Sequence, residues 1–318
     1  MLGMSHKFMQ KIVLAIVFCL AASTLLAQPL PVVASFSILA DMVREVGGPQ
    51  VEVTSLVGPN TDAHVFDPTP ADAKRIASAR LVFVNGLGFE GWLDRLVKAS
   101  GYRGPLVIAS KGVKTPLQLK DAHHHAGATK GQGAHQGHGA SDPHAWQNLA
   151  NAERYVETIR TALAAALPAQ SALFEQRAAD YIKRIRALDQ STKAQIAAVA
   201  VERRKVITSH DAFGYFAAAY GVTFYPLQGL ATANEPSAAE VVRIVDLIKK
   251  NKVSAIFTEN ISDPRVLERI AKDSGAKVGG RLYADALTEP GTAADTYLKM
   301  FERNVATIVQ GMSGNAGQ

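Results

Sequence analysis

The 318-residue chain contains one cysteine, Cys19, and it lies inside the N-terminal apolar stretch. A chain cleaved after Ala27 therefore has no disulfide and no thiolate metal ligand, so any metal site must be built from histidine and carboxylate. Charge is also sparse: 19% of residues are charged, against the ~25% common in soluble domains. The basic residues form no long stripe, which argues against a nucleic-acid surface. Beyond the leader, no apolar run reaches the ~20 residues that a membrane span needs. There is no compact H-E-x-x-H motif, which removes the helical metallopeptidase arrangement, and no short internal sequence repeat.

What is present begins with a leader. Lys7 and Lys11 precede an uncharged run from Ile12 to Leu26, and the small Ala27 follows. Positive, then apolar, then small is the order of a secretory signal peptide, so residues 1–27 are expected to be removed and the mature chain to be exported. Without Lys7 and Lys11 the net charge falls from +6 to +4, with 32 basic side chains against 28 acidic. The hydrophobic fraction of 47% is enough for a substantial core.

The mature chain alternates short apolar runs with helical patterns. Val32–Ser35, Val51–Val57, Leu81–Asn85 and Leu106–Ala109 read as strands, and stretches from Ile38, Pro70, Glu90 and Ala152 read as helices. The second half repeats the alternation, with strands at Val206–Ser209, Val222–Tyr225, Val253–Thr258 and Ala276–Gly279. This pattern predicts parallel α/β units. Thr69, Pro70 and Asp72 form a helix start, Ser237 and Glu240 a capping box, and Asp263 with Pro264 another start. Between Gln170 and Ala200 no glycine or proline occurs. Phe174, Ala178, Tyr181, Ile185, Leu188, Thr192, Ile196 and Val199 fall three or four apart, which predicts one long helix acting as a strut. The expected divisions are an N-terminal lobe over 28–168, a linking helix over 169–200 and a C-terminal lobe over 201–318.

Residues 121–141 break the pattern. They carry His123, His124, His125, His135 and His138 among glycines, with none of the large apolar residues that order a segment, and read as a mobile loop. His64, His144 and His210 remain, each placed where a strand has ended and a loop or helix begins. In parallel α/β sheets, ligands bind beyond the carboxyl ends of strands. Three imidazoles and one carboxylate make a tetrahedral zinc site. The carboxylate candidates are Asp285 in RLYADAL and Glu259 in FTEN, while Asp62, Asp142 and Asp211 stand close enough in sequence to orient the imidazoles.

The segments DAHVFDPTPAD, SDPHAW, TSHDAFGYFAAAYG, EPSAAEV and LYADAL, in this order from about Val32 to about Ile308, resemble the zinc/manganese solute-binding proteins of ABC importers (cluster A-I). The resemblance implies two α/β lobes joined by a long helix, with a metal in the cleft between them. It implies His64, His144 and His210 as ligands and Asp285 as the fourth. The first motif departs from the family's D-P-H and Y-E-P, having Asp62-Ala63-His64 and Phe66-Asp67-Pro68 instead. The His-rich loop looks like that of zinc members, and imidazole favours zinc; manganese is the alternative, since a bidentate Asp285 suits it. The loop histidines are expected to collect metal weakly. The implied partners are a membrane permease and its ATPase, with a periplasmic metallochaperone as a further donor and the protein itself a monomer. The rival from another class is a zinc hydrolase with an open fourth position and Glu259 as base. An adhesin on the same fold overlaps with transport. A haem or siderophore binder lacks the aromatic or arginine cluster it would need.

Overall fold

The computed structural model describes residues 28–113, 117, 141–230, 232 and 237–314. The leader and the five loop histidines lie outside these residues. Two parallel four-stranded sheets organise the rest. The first contains β1 (Leu30–Phe36), β2 (Val51–Val57), β3 (Leu81–Val84) and β4 (Leu106–Ile108) in the order β2-β1-β3-β4. The second contains β5 (Lys205–Thr208), β6 (Thr223–Pro226), β7 (Ala255–Glu259) and β8 (Val278–Leu282) in the order β6-β5-β7-β8. The two lobes thus share one topology although the sequence shows no repeat. The central strands β3 and β7 are buried along their whole length, as expected where helices cover both faces of a parallel sheet. The edge strand β4 is more exposed.

The first lobe carries α1 (Ser37–Gly47), α2 (Pro70–Ser78), α3 (Leu93–Ser100) and α4 (Leu149–Ala166). The Thr69 start is realised as a capping box: Asp72 Oδ2 accepts the Thr69 N–H at 2.9 Å, and the Thr69 hydroxyl oxygen accepts the Asp72 N–H at 3.4 Å. The linking helix α5 (Ser171–Ala197) has 27 residues, ~40 Å at 1.5 Å per residue. It buries Phe174, Ala178, Tyr181, Ile185, Thr192 and Ile196, six of the eight positions on the predicted stripe. The second lobe holds α6 (Gly214–Tyr220), α7 (Ala238–Asn251), α8 (Arg265–Ser274) and α9 (Tyr297–Ser313). Ser237 and Glu240 form the predicted capping box on α7. Among the described residues no helix is long and apolar enough to cross a membrane.

One hydrophobic core runs through both lobes. Phe36, Phe89 and Trp146 of the first lobe pack as one cluster, and Phe213, Phe216, Tyr297 and Phe301 of the second belong to the same core. The Tyr297 hydroxyl donates to the Trp146 carbonyl at 2.6 Å, across the lobe boundary. A smaller cluster around Ile207, Ile244, Ile256 and Ile270 covers the other face of the second sheet.

Two of the boundaries that differ from the sequence reading fall at glycine-bearing segments. The stretch from Glu90 begins as a loop, and α3 starts only at Leu93. Gly86, Leu87 and Gly88 all have positive φ there, a backbone that no helix continues. The last strand lies at Val278–Leu282 rather than Ala276–Gly279, because Gly279 and Gly280 fall inside it. A Cβ on Gly279 would meet the Phe257 ring at 2.4 Å, so glycine there makes room for an aromatic ring and does not end the strand.

Candidate metal centre

Each lobe contributes two side chains to one point between the carboxyl ends of the sheets. His64 follows β2, in the loop leading to α2. Asp62 Oδ1 accepts the His64 backbone N–H at 2.8 Å, and Trp92 Nε1 donates to the Ala63 carbonyl at 2.8 Å, which shapes this loop. His144 precedes a short 3-10 turn (Ala145–Gln147) that leads into α4. His210 lies two residues beyond β5 and Asp285 three beyond β8. Trp146 Nε1 and Gln147 Nε2, from the first lobe, both donate to the Ala284 carbonyl, at 2.9 and 2.8 Å, fixing the backbone before Asp285.

The four side chains converge. One ligand-type atom from each of His64, His144, His210 and Asp285 lies within 4.8 Å of all the others. His64 Nε2 is 3.2 Å from His144 Nε2 and 3.2 Å from Asp285 Oδ2. His210 Nε2 is 3.1 Å from Asp285 Oδ2, and His144 Nε2 is 3.6 Å from Asp285 Oδ1. His144, His210 and Asp285 are fully buried, while His64 is partly exposed. Among the described residues, Asp285 Oδ1 is a buried acceptor without a hydrogen-bond partner.

The flanking carboxylates divide into different roles. Asp142 Oδ1 accepts from His144 Nδ1 at 2.8 Å, turning Nε2 toward the cluster. Glu259 Oε2 does the same for His210 Nδ1 at 2.5 Å, while Oε1 accepts the N–H groups of Ser209 and His210. Glu259 thus sits behind His210, away from the point of convergence. Asp62 Oδ1 bonds the His64 backbone, and among the described residues no bond from Asp62 to the ring is seen. Asp211 makes no ion pair with any of the three imidazoles among the described residues. Burial and the nearby Asp142 push its carboxyl up, against the opposing pull of His144 and His210.

Burial by itself disfavours a charged His144, but Asp285 and Asp142 outweigh it and raise the imidazole to about 9. His210 behaves alike: burial opposes its charge, yet Glu259 and Asp285 carry it well above the usual histidine range. Burial pushes Asp285 up, and His144 and His210 overcome that to hold it well below the usual carboxylate range.

Sequence reasoning missed the wall of the site. The Phe89 ring stands edge-on to His64 at 4.8 Å, and Trp146 packs on His144 at 5.3 Å between centroids. Beneath Phe89, Glu90 accepts from the Ser35 hydroxyl at 2.6 Å and the Asn85 N–H at 2.6 Å. The glycines flanking Glu90 were the signal that it belongs to a tight loop.

The family model described as "Zinc-uptake complex component A periplasmic" matches residues 32–311. The chain belongs to this family. Its members are the metal-binding substrate-binding proteins of ABC transporters and are not enzymes, which removes the hydrolase reading. Similar family proteins include the manganese-binding lipoprotein MntA of Halalkalibacterium halodurans, 30% identical over 284 residues that cover 89% of each chain. The iron-binding protein YfeA of Yersinia pestis is 29% identical over 90% of this chain and 87% of its own. The periplasmic zinc-binding protein TroA of Treponema pallidum superimposes with a TM-score of 0.81 at 29% identity, covering 90% of this chain and 99% of that one. The two parallel lobes, the long helix and the cleft cluster are the family architecture.

Proposed function

We propose that the cleft captures one divalent cation, with zinc as its cargo, through His64, His144, His210 and Asp285, and passes it to a membrane permease driven by an ATPase. The observation that carries this reading is the facing of acceptors. With Asp142 and Glu259 accepting from Nδ1 of His144 and His210, the neutral form of either ring turns an Nε2 lone pair toward the buried Asp285, and His64 Nε2 stands 3.2 Å from both His144 Nε2 and Asp285 Oδ2, an arrangement that a cation satisfies. Ligands at ~2.0–2.1 Å from a tetrahedral zinc are ~3.3–3.4 Å from one another. Four of the separations, 3.1, 3.2, 3.2 and 3.6 Å, lie near that spacing, and the ligand atoms all fall within 4.8 Å of one another. Three neutral imidazoles and one carboxylate leave a bound divalent ion with net charge +1, which Asp142 and Glu259 offset from behind the rings. The manganese reading has its own support. Both Asp285 oxygens face ring nitrogens, so bidentate binding adds an oxygen donor, and similar proteins are named for manganese and iron.

The wider reading is a monomer working in the periplasm after loss of residues 1–27, with lobes at 28–168 and 201–318 around the 169–200 helix. Support for a place outside the cytoplasm comes from relatives named as periplasmic proteins or lipoproteins. His123, His124, His125, His135 and His138 would collect metal near the cleft, and a periplasmic metallochaperone is a candidate donor. Titration of residues 28–318 with zinc and manganese in competition tests the assignment. His210→Ala lowers zinc affinity at least roughly tenfold if it is a ligand; an unchanged affinity removes it from the site, and preferential manganese binding reverses the choice of cargo.

A further inference from the structure

The four side chains of the cluster are not anchored alike. His144 and His210 are fully buried, and each has a carboxylate on Nδ1, Asp142 at 2.8 Å and Glu259 at 2.5 Å. Among the described residues no carboxylate meets Nδ1 of His64, which is also the ligand nearest solvent. Its place is set through its backbone, and that backbone is tied to the opposite lobe. The Asn60 N–H donates to the Leu287 carbonyl at 2.8 Å, and Asn260 Nδ2 donates to Asn60 Oδ1 at 3.1 Å. The Thr232 hydroxyl donates to Asp62 Oδ2, while Asp62 Oδ1 accepts the His64 N–H at 2.8 Å. Leu287 is two residues beyond Asp285, and Asn260 directly follows Glu259. The loop is therefore fastened to the same segments that carry and orient the second lobe's ligands.

We propose that Asp62 and Thr232 form an inter-lobe clasp that positions His64 and sets how fast the bound ion leaves. The proposal rests on the reading of His64 as a ligand. The Asp62 side chain bonds the second lobe through Thr232 and the His64 backbone at once. Without the Thr232 hydroxyl, its half-buried carboxylate turns toward water and the His64 N–H loses a fixed acceptor. His144, His210 and Asp285 keep their own supports, so the ion still finds most of its site on arrival, but the outermost ligand swings away more often. Dissociation is accordingly affected more than association.

The test compares Thr232→Val and Thr232→Ser in residues 28–318, with zinc as the probe. Release is followed by stopped flow into excess chelator, and association is followed separately. Thr232→Val is expected to release zinc roughly tenfold faster or more, as befits a lost hydrogen bond to a charged group. Its association rate stays within about twofold and its metal-free melting temperature falls by no more than about 4 °C, the scale of one lost hydrogen bond; Thr232→Ser behaves as the parent. An unchanged release rate in Thr232→Val, or a faster release accompanied by equally faster release in Thr232→Ser, overturns the clasp. His64→Ala separates the two ideas: if it leaves zinc affinity intact, the ligand reading itself fails, whereas weak binding by His64→Ala beside normal release from Thr232→Val rejects the clasp alone.

Discussion

Glu259→Gln isolates the contribution of a carboxylate that lies behind His210. In the parent, Oε1 accepts two backbone N–H groups, at 3.0 and 3.2 Å, and Oε2 accepts from His210 Nδ1 at 2.5 Å. Glutamine preserves the volume, and its amide oxygen can keep the two backbone bonds. Its NH2 group then faces Nδ1, which must become an acceptor. The imidazole proton moves to Nε2, the nitrogen that points at Asp285 from 3.1 Å and would ligate the ion. Restoring the ligating tautomer means setting two donors against each other inside a fully buried site. Loss of such an orienting partner costs ~10–100-fold in metal affinity, or about 1.4–2.8 kcal/mol. Competition against a chelator of known affinity measures it, with circular dichroism confirming that the fold persists. A loss below twofold in a folded variant would refute the reasoning.

Four further outcomes are expected. Because Asp285 and Asp142 raise His144 to about 9, metal must displace a proton at neutral pH, so affinity climbs from pH 7 toward 9 by up to about tenfold per unit per proton. Titration calorimetry in buffers of differing ionisation enthalpy detects the release. In metal-free protein the sign is opposite: the raised His144 stabilises the fold fully below its ordinary value near 6.5, and that contribution fades as pH rises through about 9. Trp146→Ala removes a fully buried ring and the bond to Ala284, and is expected to cost ~3–5 kcal/mol in denaturant unfolding as well as weakening metal binding. Deleting residues 121–141 should leave cleft affinity within about threefold in the same titration; a large loss would make the loop histidines primary ligands.

Much of this was legible in the sequence because its signals are local. The run VEVTSLV at Val51–Val57 coincides with β2, and the Thr69–Asp72 and Ser237–Glu240 pairs cap the helices they were expected to cap. The long helix ends at Ala197, three residues short of the expected 169–200 span, and Val199 packs on the core from outside it. What could not be read depends on distant partners. Nothing local distinguishes Glu259 from Asp285, since both sit at the ends of strands in one sheet; only the fold shows that one faces His210 Nδ1 and the other His210 Nε2. Asp62, Asp142 and Asp211 look alike beside their histidines, and the first two each accept the N–H of the histidine two residues on, yet among the described residues only Asp142 is also bonded to a ring nitrogen. The matching topology of the lobes was hidden for the same reason, because strand order is fixed by pairing across the chain and leaves no repeated residues.

The central claim is that three imidazoles and Asp285 surround a single ion. X-ray absorption at the zinc edge on the zinc-loaded mature protein tests it most directly. The account predicts three nitrogen scatterers with imidazole outer-shell features, plus one or two carboxylate oxygens, at ~2.0–2.2 Å, and a loss of one imidazole in each of His64→Ala, His144→Ala and His210→Ala. A first shell of water and carboxylate oxygens, or a spectrum that none of these substitutions alters, would contradict it.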